Sequence, residues 1–170
     1  MSPSDRMAPL TLSVTSARLL VTSRHPHPLI QFDADGDELR QVQLPNDMVP
    51  RHAVESPTET FIVSLYNKQL KQDQVVEVNN VGEVLRKFGG SRLSSLGGIP
   101  HIAVDCVGNV FVADCHYGRI LLLQNRLSSC RVIVNQHQLR YNQPRRICYS
   151  EQSGHLLVRM VNGVAAFYVV

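Results

Sequence analysis

A pattern that recurs along the chain constrains its fold more than any other feature of the sequence. It is clearest between Pro100 and Gln124, PHIAVDCVGNVFVADCHYGRILLLQ. That stretch reads as a proline, an alternating apolar run ending in an acid, a Gly-Asn turn, a second run ending in Asp, a polar turn, and Arg-Ile opening a third apolar run. Pro50 opens a weaker copy, PRHAVESPTETFIVSLYN, and Pro144 another, PRRICYSEQSGHLLVRMVNGVAAFYVV. Self-similarity at a period of about 40 to 50 residues marks a chain built from one small sheet per repeat, each burying its apolar face only by stacking on a neighbour.

The repeats can be read strand by strand. In the repeat from Pro100, HIAVD and VFVAD flank a Gly-Asn turn suited to a tight hairpin, and RILLLQ and SCRVIV complete four antiparallel strands. The repeat from Pro50 gives RHAVES, FIVSL, QVVEVN and VLRKFG, and an earlier, more degenerate one gives LTLSV, RLLVTS, PLIQFD and ELRQVQL. The last gives only RRICYS, HLLVR and GVAAFYVV. Near-continuous apolar runs call for sheets covered on both faces, as stacked propeller blades are. The expected fold is therefore an all-β propeller of four-stranded blades at about 9–44, 50–89, 100–134 and 144–170, after a disordered segment 1–8. The three-strand ending suggests four blades of an incomplete six-bladed ring, the alternative being a four-bladed propeller with a ragged last blade.

Composition adds exclusions. The four cysteines form no C-x-x-C pair and no Asn-x-Ser/Thr sequon occurs, which favours a reducing, cytoplasmic setting. The N-terminus MSPSDRMAPLTLSV lacks the build of a secretory signal, and VAAFYVV is too short to span a membrane. With 17 basic and 14 acidic side chains, any preference for polyanions must come from where the charges sit.

The Pro100 repeat resembles the NHL repeat, and residues 48–170 resemble the C-terminal propellers of animal tripartite-motif (TRIM) proteins through HAVESPTETFIVS, VVEVNNVGEVLRKF and PHIAVDCVGNVFVAD. The resemblance implies a recognition module. Family members carry zinc modules and a coiled coil before the propeller; this chain has no Cys/His zinc array, so ubiquitin-ligase chemistry would lie elsewhere. Several propellers of this family bind RNA through one face.

Sorting the loops by blade end separates the charges. Loops entering the first strand of each blade and loops joining its second and third strands share one face, which collects Arg24, His25, His27, Arg51, His52, Lys68, Lys71, His101, His116, Arg119, Arg140, Arg145 and Arg146, with Tyr66, Tyr117 and Tyr141 among them. The opposite face collects Asp33, Asp35, Asp37, Glu38, Glu55, Glu59, Glu83, Asp105 and Glu151; Asp47, Asp73 and Asp114 are the acidic exceptions on the first face, and Arg126 is the main basic exception on the second. Basic groups with interleaved aromatic rings suit single-stranded RNA or an acidic or phosphorylated protein segment. The expected binding residues are Arg51, His52, Tyr66, His101, His116, Tyr117, Arg119, Arg145 and Arg146. Arg51, His101 and Arg145 each follow a blade-opening proline and are expected to form an arc around the central opening.

By that count from the proline, His52 aligns with Ile102 and Arg146, so no ring of histidines recurs to hold a metal. The expectation is a non-catalytic chain with no cofactor and no metal, not bound to membrane, and able to self-associate through open propeller edges. A pure protein-interaction scaffold, the substrate-recruiting part of a ubiquitin ligase, is the alternative, and a metal-dependent lactonase- or lyase-like propeller the second. Asp33–Asp37 is expected to be a hairpin turn rather than a calcium loop, since the twelfth position is Leu44. Asp114 and Arg119 are expected to bond within their blade, and Cys115 to fill a turn.

Overall fold

A computed structural model describes residues 9–15, 17–23, 28–89, 96–98 and 101–169. The segment 1–8 and the basic residues Arg24, His25 and His27 lie outside the described residues. The rest is all-β. The first sheet comprises β1 (Pro9–Val14), β2 (Leu19–Ser23), β3 (Pro28–Phe32) and β4 (Glu38–Gln43). The second comprises β5 (Met48–Glu55), β6 (Phe61–Asn67), β7 (Gln72–Val78) and β8 (Val84–Phe88). The third comprises β9 (His101–Val104), β10 (Val110–Asp114), β11 (Arg119–Gln124) and β12 (Ser129–Val134), and the last β13 (Pro144–Ser150), β14 (His155–Met160) and β15 (Gly163–Tyr168). Each sheet is an antiparallel meander in chain order, so the four are successive propeller blades.

The blades hold together through three apolar layers, one at each blade-to-blade boundary. Strand periodicity explains this directly, because alternate residues of one strand point to opposite neighbours. Along β6, Phe61, Val63 and Leu65 pack with Leu20, Leu29 and Val42 of the first blade, whereas Ile62 packs with Ile102, Val112 and Leu121 of the third. Along β10, Phe111 and Ala113 pack with Ile147, Leu156 and Val158 of the last blade. The far side of that last blade is uncovered, with Leu157, Val164 and Tyr168 exposed.

One turn design recurs at the acidic end of the blades. Asp33 Oδ1 accepts from the backbone N–H groups of Asp35 and Asp37, Asn79 Oδ1 from Val81 and Glu83, and Asp105 Oδ1 from Val107 and Asn109. In each, the fourth residue is a glycine at positive φ, for example +86° at Gly108. Asp33–Asp37 is thus a hairpin turn whose leading carboxylate is occupied by the backbone.

A second recurring device is a register irregularity beside the opening proline. In the second blade Pro50 pairs with Leu65 and His52 with Ser64, leaving Arg51 as an extra residue. In the last blade Pro144 pairs with Met160 and Arg146 with Arg159, leaving Arg145 extra. A bulge of this kind moves every following side chain by one place relative to a count from the proline.

The third blade is pinned to its entering segment by Asp114, which is fully buried. Its Oδ1 accepts from Gly97 N–H at 3.1 Å and its Oδ2 from Arg119 Nε at 2.8 Å. Burial raises the Asp114 carboxyl, while the bonds from Arg119 and the backbone oppose the rise. Replacing Asp114 with Ala strands the Gly97 donor and the Arg119 guanidinium, and chemical denaturation is expected to show a loss of about 2 kcal/mol.

Candidate functional site

The inner strands β1, β5, β9 and β13 pack side by side in chain order and line the propeller axis. Three cavities with shared walls run along it. The first, about 390 Å³, is lined by Arg51, Arg145, Arg146 and Arg159 together with His52 and His101. The second, about 320 Å³, shares His52 and His101 with the first and runs past Val54 and Cys148. The third, about 680 Å³, shares Glu55 and Val104 with the second and adds Asp105 and Glu151. The channel is basic at one mouth and acidic at the other, with two imidazoles between.

The two imidazoles are stacked, their ring centroids 3.8 Å apart and their planes inclined by 22°. Counted back from the hairpin, both lie at the same place: Glu55 pairs with Phe61 and Val104 with Val110 across five-residue turns, and His52 and His101 each lie three residues earlier. The count from the proline therefore misaligned the blades. The Arg51 bulge shifts His52 into register with His101, and the Arg145 bulge does the same for Arg146. Thr11, His52, His101 and Arg146 occupy equivalent positions around the axis, while Arg51 and Arg145, from the bulges, line the same cavity.

Hydrogen bonds fix both tautomers. His52 donates to the backbone carbonyl of Leu12, and its Nδ1, buried, has no partner; Nε2 is therefore the donor. His101 Nδ1 accepts from Ile147 N–H at 3.4 Å, which places its proton on Nε2. Burial, then His101 and Arg146, lowers the His52 pKa to about 3. Burial and then Arg146 lower that of His101 to about 4. Both rings are neutral at physiological pH.

Among the described residues, no arginine of the basic mouth forms an ion pair: the ion pairs are Arg18–Glu55, Arg86–Glu77 and Arg119–Asp114. Arg146 and Arg159 sit directly opposite each other on β13 and β14, a like-charge pairing that costs stability. Arg51 Nε is buried without a partner, and its guanidinium carbon lies 5.9 Å from the centre of the Tyr66 ring. Arg145 Nη2 donates to Gln143 Oε1 at 3.0 Å. Asp73, the carboxylate that acts electrostatically on Arg51's side of the site, is raised to about 6, chiefly by burial, with Arg51 opposing and Asp114 adding to the rise.

Of the nine expected binding residues, Arg51, His52, His101, Arg145 and Arg146 come together, with Tyr66 beside Arg51. His116, Tyr117 and Arg119 do not line the cavity. They cluster on the turn before β11, where the Arg119 guanidinium carbon lies 4.7 Å from the Tyr117 ring centre and His116 meets Tyr117 edge-on at 5.1 Å. Arg119 is committed to Asp114, as the blade pattern implied. Arg159 was missed because loops alone were sorted by face, and Arg159 lies within a strand. Its signal was the pairing of RRICYS with HLLVRM across the last hairpin. Among the described residues no three His, Cys, Asp or Glu side chains converge as a metal set.

No family model matches the chain, and no curated protein matches it either. Solved structures do. A catalytically inactive virginiamycin B lyase from Staphylococcus aureus, with quinupristin, superposes at a TM-score of 0.65 and 13% identity, covering 99% of this chain and 58% of that one. Regucalcin from Agrobacterium tumefaciens, a calcium-binding protein, gives 0.59 and 13%, covering 96% and 61%. A Bacteroides caccae protein of unknown function gives 0.57 and 15%, covering 97% and 62%. The chain thus spans less than two thirds of the length of these neighbours. The likeness establishes the propeller fold at the level of architecture.

It also corrects the expectation of a non-catalytic chain. The same architecture serves an enzyme, the lyase, so fold gives no ground for excluding catalysis. The expectation had rested on histidines that failed to align, and the bulge brings two of them together.

The imidazole pair has a measurable signature. Between their folded values and 6.5, both rings are neutral when folded and take up a proton on unfolding, so stability falls as pH drops from about 6.5 toward 4. Asp73 acts oppositely between 3.8 and about 6, holding its proton in the folded state. Thermal melts from pH 7 to 5 are expected to show a steeper loss for the native chain than for the His52→Gln, His101→Gln double variant; equal slopes would contradict the buried neutral pair.

Proposed function

We propose that this chain is part of an NHL-type propeller that recognises single-stranded RNA at the basic mouth of its axial channel. The observation that carries this reading is the convergence of Arg51, Arg145, Arg146 and Arg159 on one cavity, none of them ion-paired among the described residues. Guanidinium groups are the side chains best suited to phosphate oxygens, because their planar fork donates two bonds at once. Tyr66 beside Arg51 supplies a π-face of the kind unpaired bases stack on. The free thiols of Cys106, Cys130 and Cys148 support a reducing, cytoplasmic setting.

A second reading is favoured by one observation, the unpartnered Nδ1 of neutral His52 beside these cations. An unprotonated imidazole next to guanidinium groups has the make-up of a base beside groups that stabilise a developing anion. Turnover of a panel of cyclic esters that is lost in His52→Gln would support it.

Gel-shift titration at low salt tests the RNA reading. Binding is expected to weaken with salt at a logarithmic slope of about −0.7 per phosphate neutralised, and to fall by at least about tenfold in the Arg145→Glu, Arg146→Glu variant. Absence of binding at low salt, or binding unchanged by that variant, overturns the reading. Retention of an acidic peptide but not RNA would instead favour the protein-interaction scaffold.

A further inference from the structure

The basic mouth is a point of convergence rather than a track. A groove that follows a nucleic-acid backbone spreads its cations along the path, because each internal phosphate carries a single charge. Here Arg51 from β5, Arg145 and Arg146 from β13 and Arg159 from β14 line one space of about 390 Å³, at the small end of the range for ligand pockets. Concentrated positive charge of this kind matches a ligand with more than one negative charge at one point. A terminal phosphomonoester has that chemistry: its charge is about −1.5 to −2 at neutral pH and it offers three acceptor oxygens, whereas an internal diester has one charge and two free oxygens.

A buried donor points to an occupant independently of the charge count. Arg51 Nε, which carries an N–H, is buried without a hydrogen-bond partner among the described residues. Unsatisfied groups of this kind are rare in folded proteins and require explanation. Arg146 and Arg159 are opposed across the β13–β14 pair, and neither is ion-paired among the described residues, an arrangement that an anion converts from repulsive to favourable. The two histidines remain neutral, so the cavity's charge comes from its arginines.

Resting on the RNA-binding reading above, we infer that this cavity takes the terminal 5′-phosphate of a single-stranded RNA, with Arg51, Arg146 and Arg159 supplying its counter-charge and the Tyr66 ring a stacking surface for the adjoining base. The arrangement distinguishes an RNA end from an internal stretch. It also makes Arg159, a strand residue outside the sorted loops, a binding residue.

Fluorescence anisotropy on the full chain with two RNA oligomers of about ten nucleotides, identical except for a 5′-phosphate or a 5′-hydroxyl, tests the inference. The phosphorylated oligomer is expected to bind at least about tenfold more tightly, a difference of about 1.4 kcal/mol. Inorganic phosphate is expected to reduce it to the level of the hydroxyl form. The Arg146→Gln, Arg159→Gln variant is expected to lose the preference while its melting temperature holds or rises, because a like-charge pair has been removed; a lowered melting temperature would count against an anion site at this pair. Equal binding of the two oligomers overturns the end-recognition inference and leaves the RNA reading standing. Failure of both to bind overturns the RNA reading itself. A phosphoserine peptide that displaces the phosphorylated oligomer at equal concentration would overturn the assignment to RNA.

Discussion

Every feature of this molecule depends on apolar contact between neighbouring sheets. A single four-stranded meander of this length exposes two apolar faces and has no interior, so a blade is stable only when another blade covers it. The layers around Phe61 and Leu29, around Ile102 and Val112, and around Phe111 and Leu156 supply that cover. Because the cores lie between blades, the axis is left unfilled. The innermost strands can then present Arg and His there without disturbing the packing that holds the fold.

The strands were legible because cover on both faces leaves short, near-continuous apolar runs between turn residues, and every run named from the sequence became a strand. The three-strand ending was legible for the same reason. The site was less so. His52 and His101 share a level around the axis, but the sequence spaces them differently from their prolines because Arg51 occupies a bulge. A bulge is decided by local backbone strain and pairing across the hairpin, neither of which leaves a mark in hydrophobic alternation. Counting back from the five-residue turns, whose Ser56 and Asp105 starts and Glu59 and Gly108 positions are readable, would have aligned the two histidines.

The two sets of charges differ in what already engages them. Asp33, Asn79 and Asp105 satisfy turn backbones, and Glu55 receives bonds from Arg18 and Gln31. The acidic end is thus largely a by-product of how the hairpins are closed. At the basic end the polar atoms are less engaged: Arg51 Nε has no partner, and Arg146 faces Arg159. Structural need accounts for one end and does not account for the other.

The neutral imidazoles at the waist of the channel have a consequence for direction. With four guanidinium groups at one mouth, Glu55, Asp105 and Glu151 outnumbering Arg18 at the other, and neutral imidazoles between, the charges are ordered from positive to negative along the axis. An elongated ligand that is anionic at one end and cationic or neutral at the other therefore has a single favoured orientation on this axis. The propeller acts as a polar axle, with a leading and a trailing end set by side chains that no blade-to-blade contact requires.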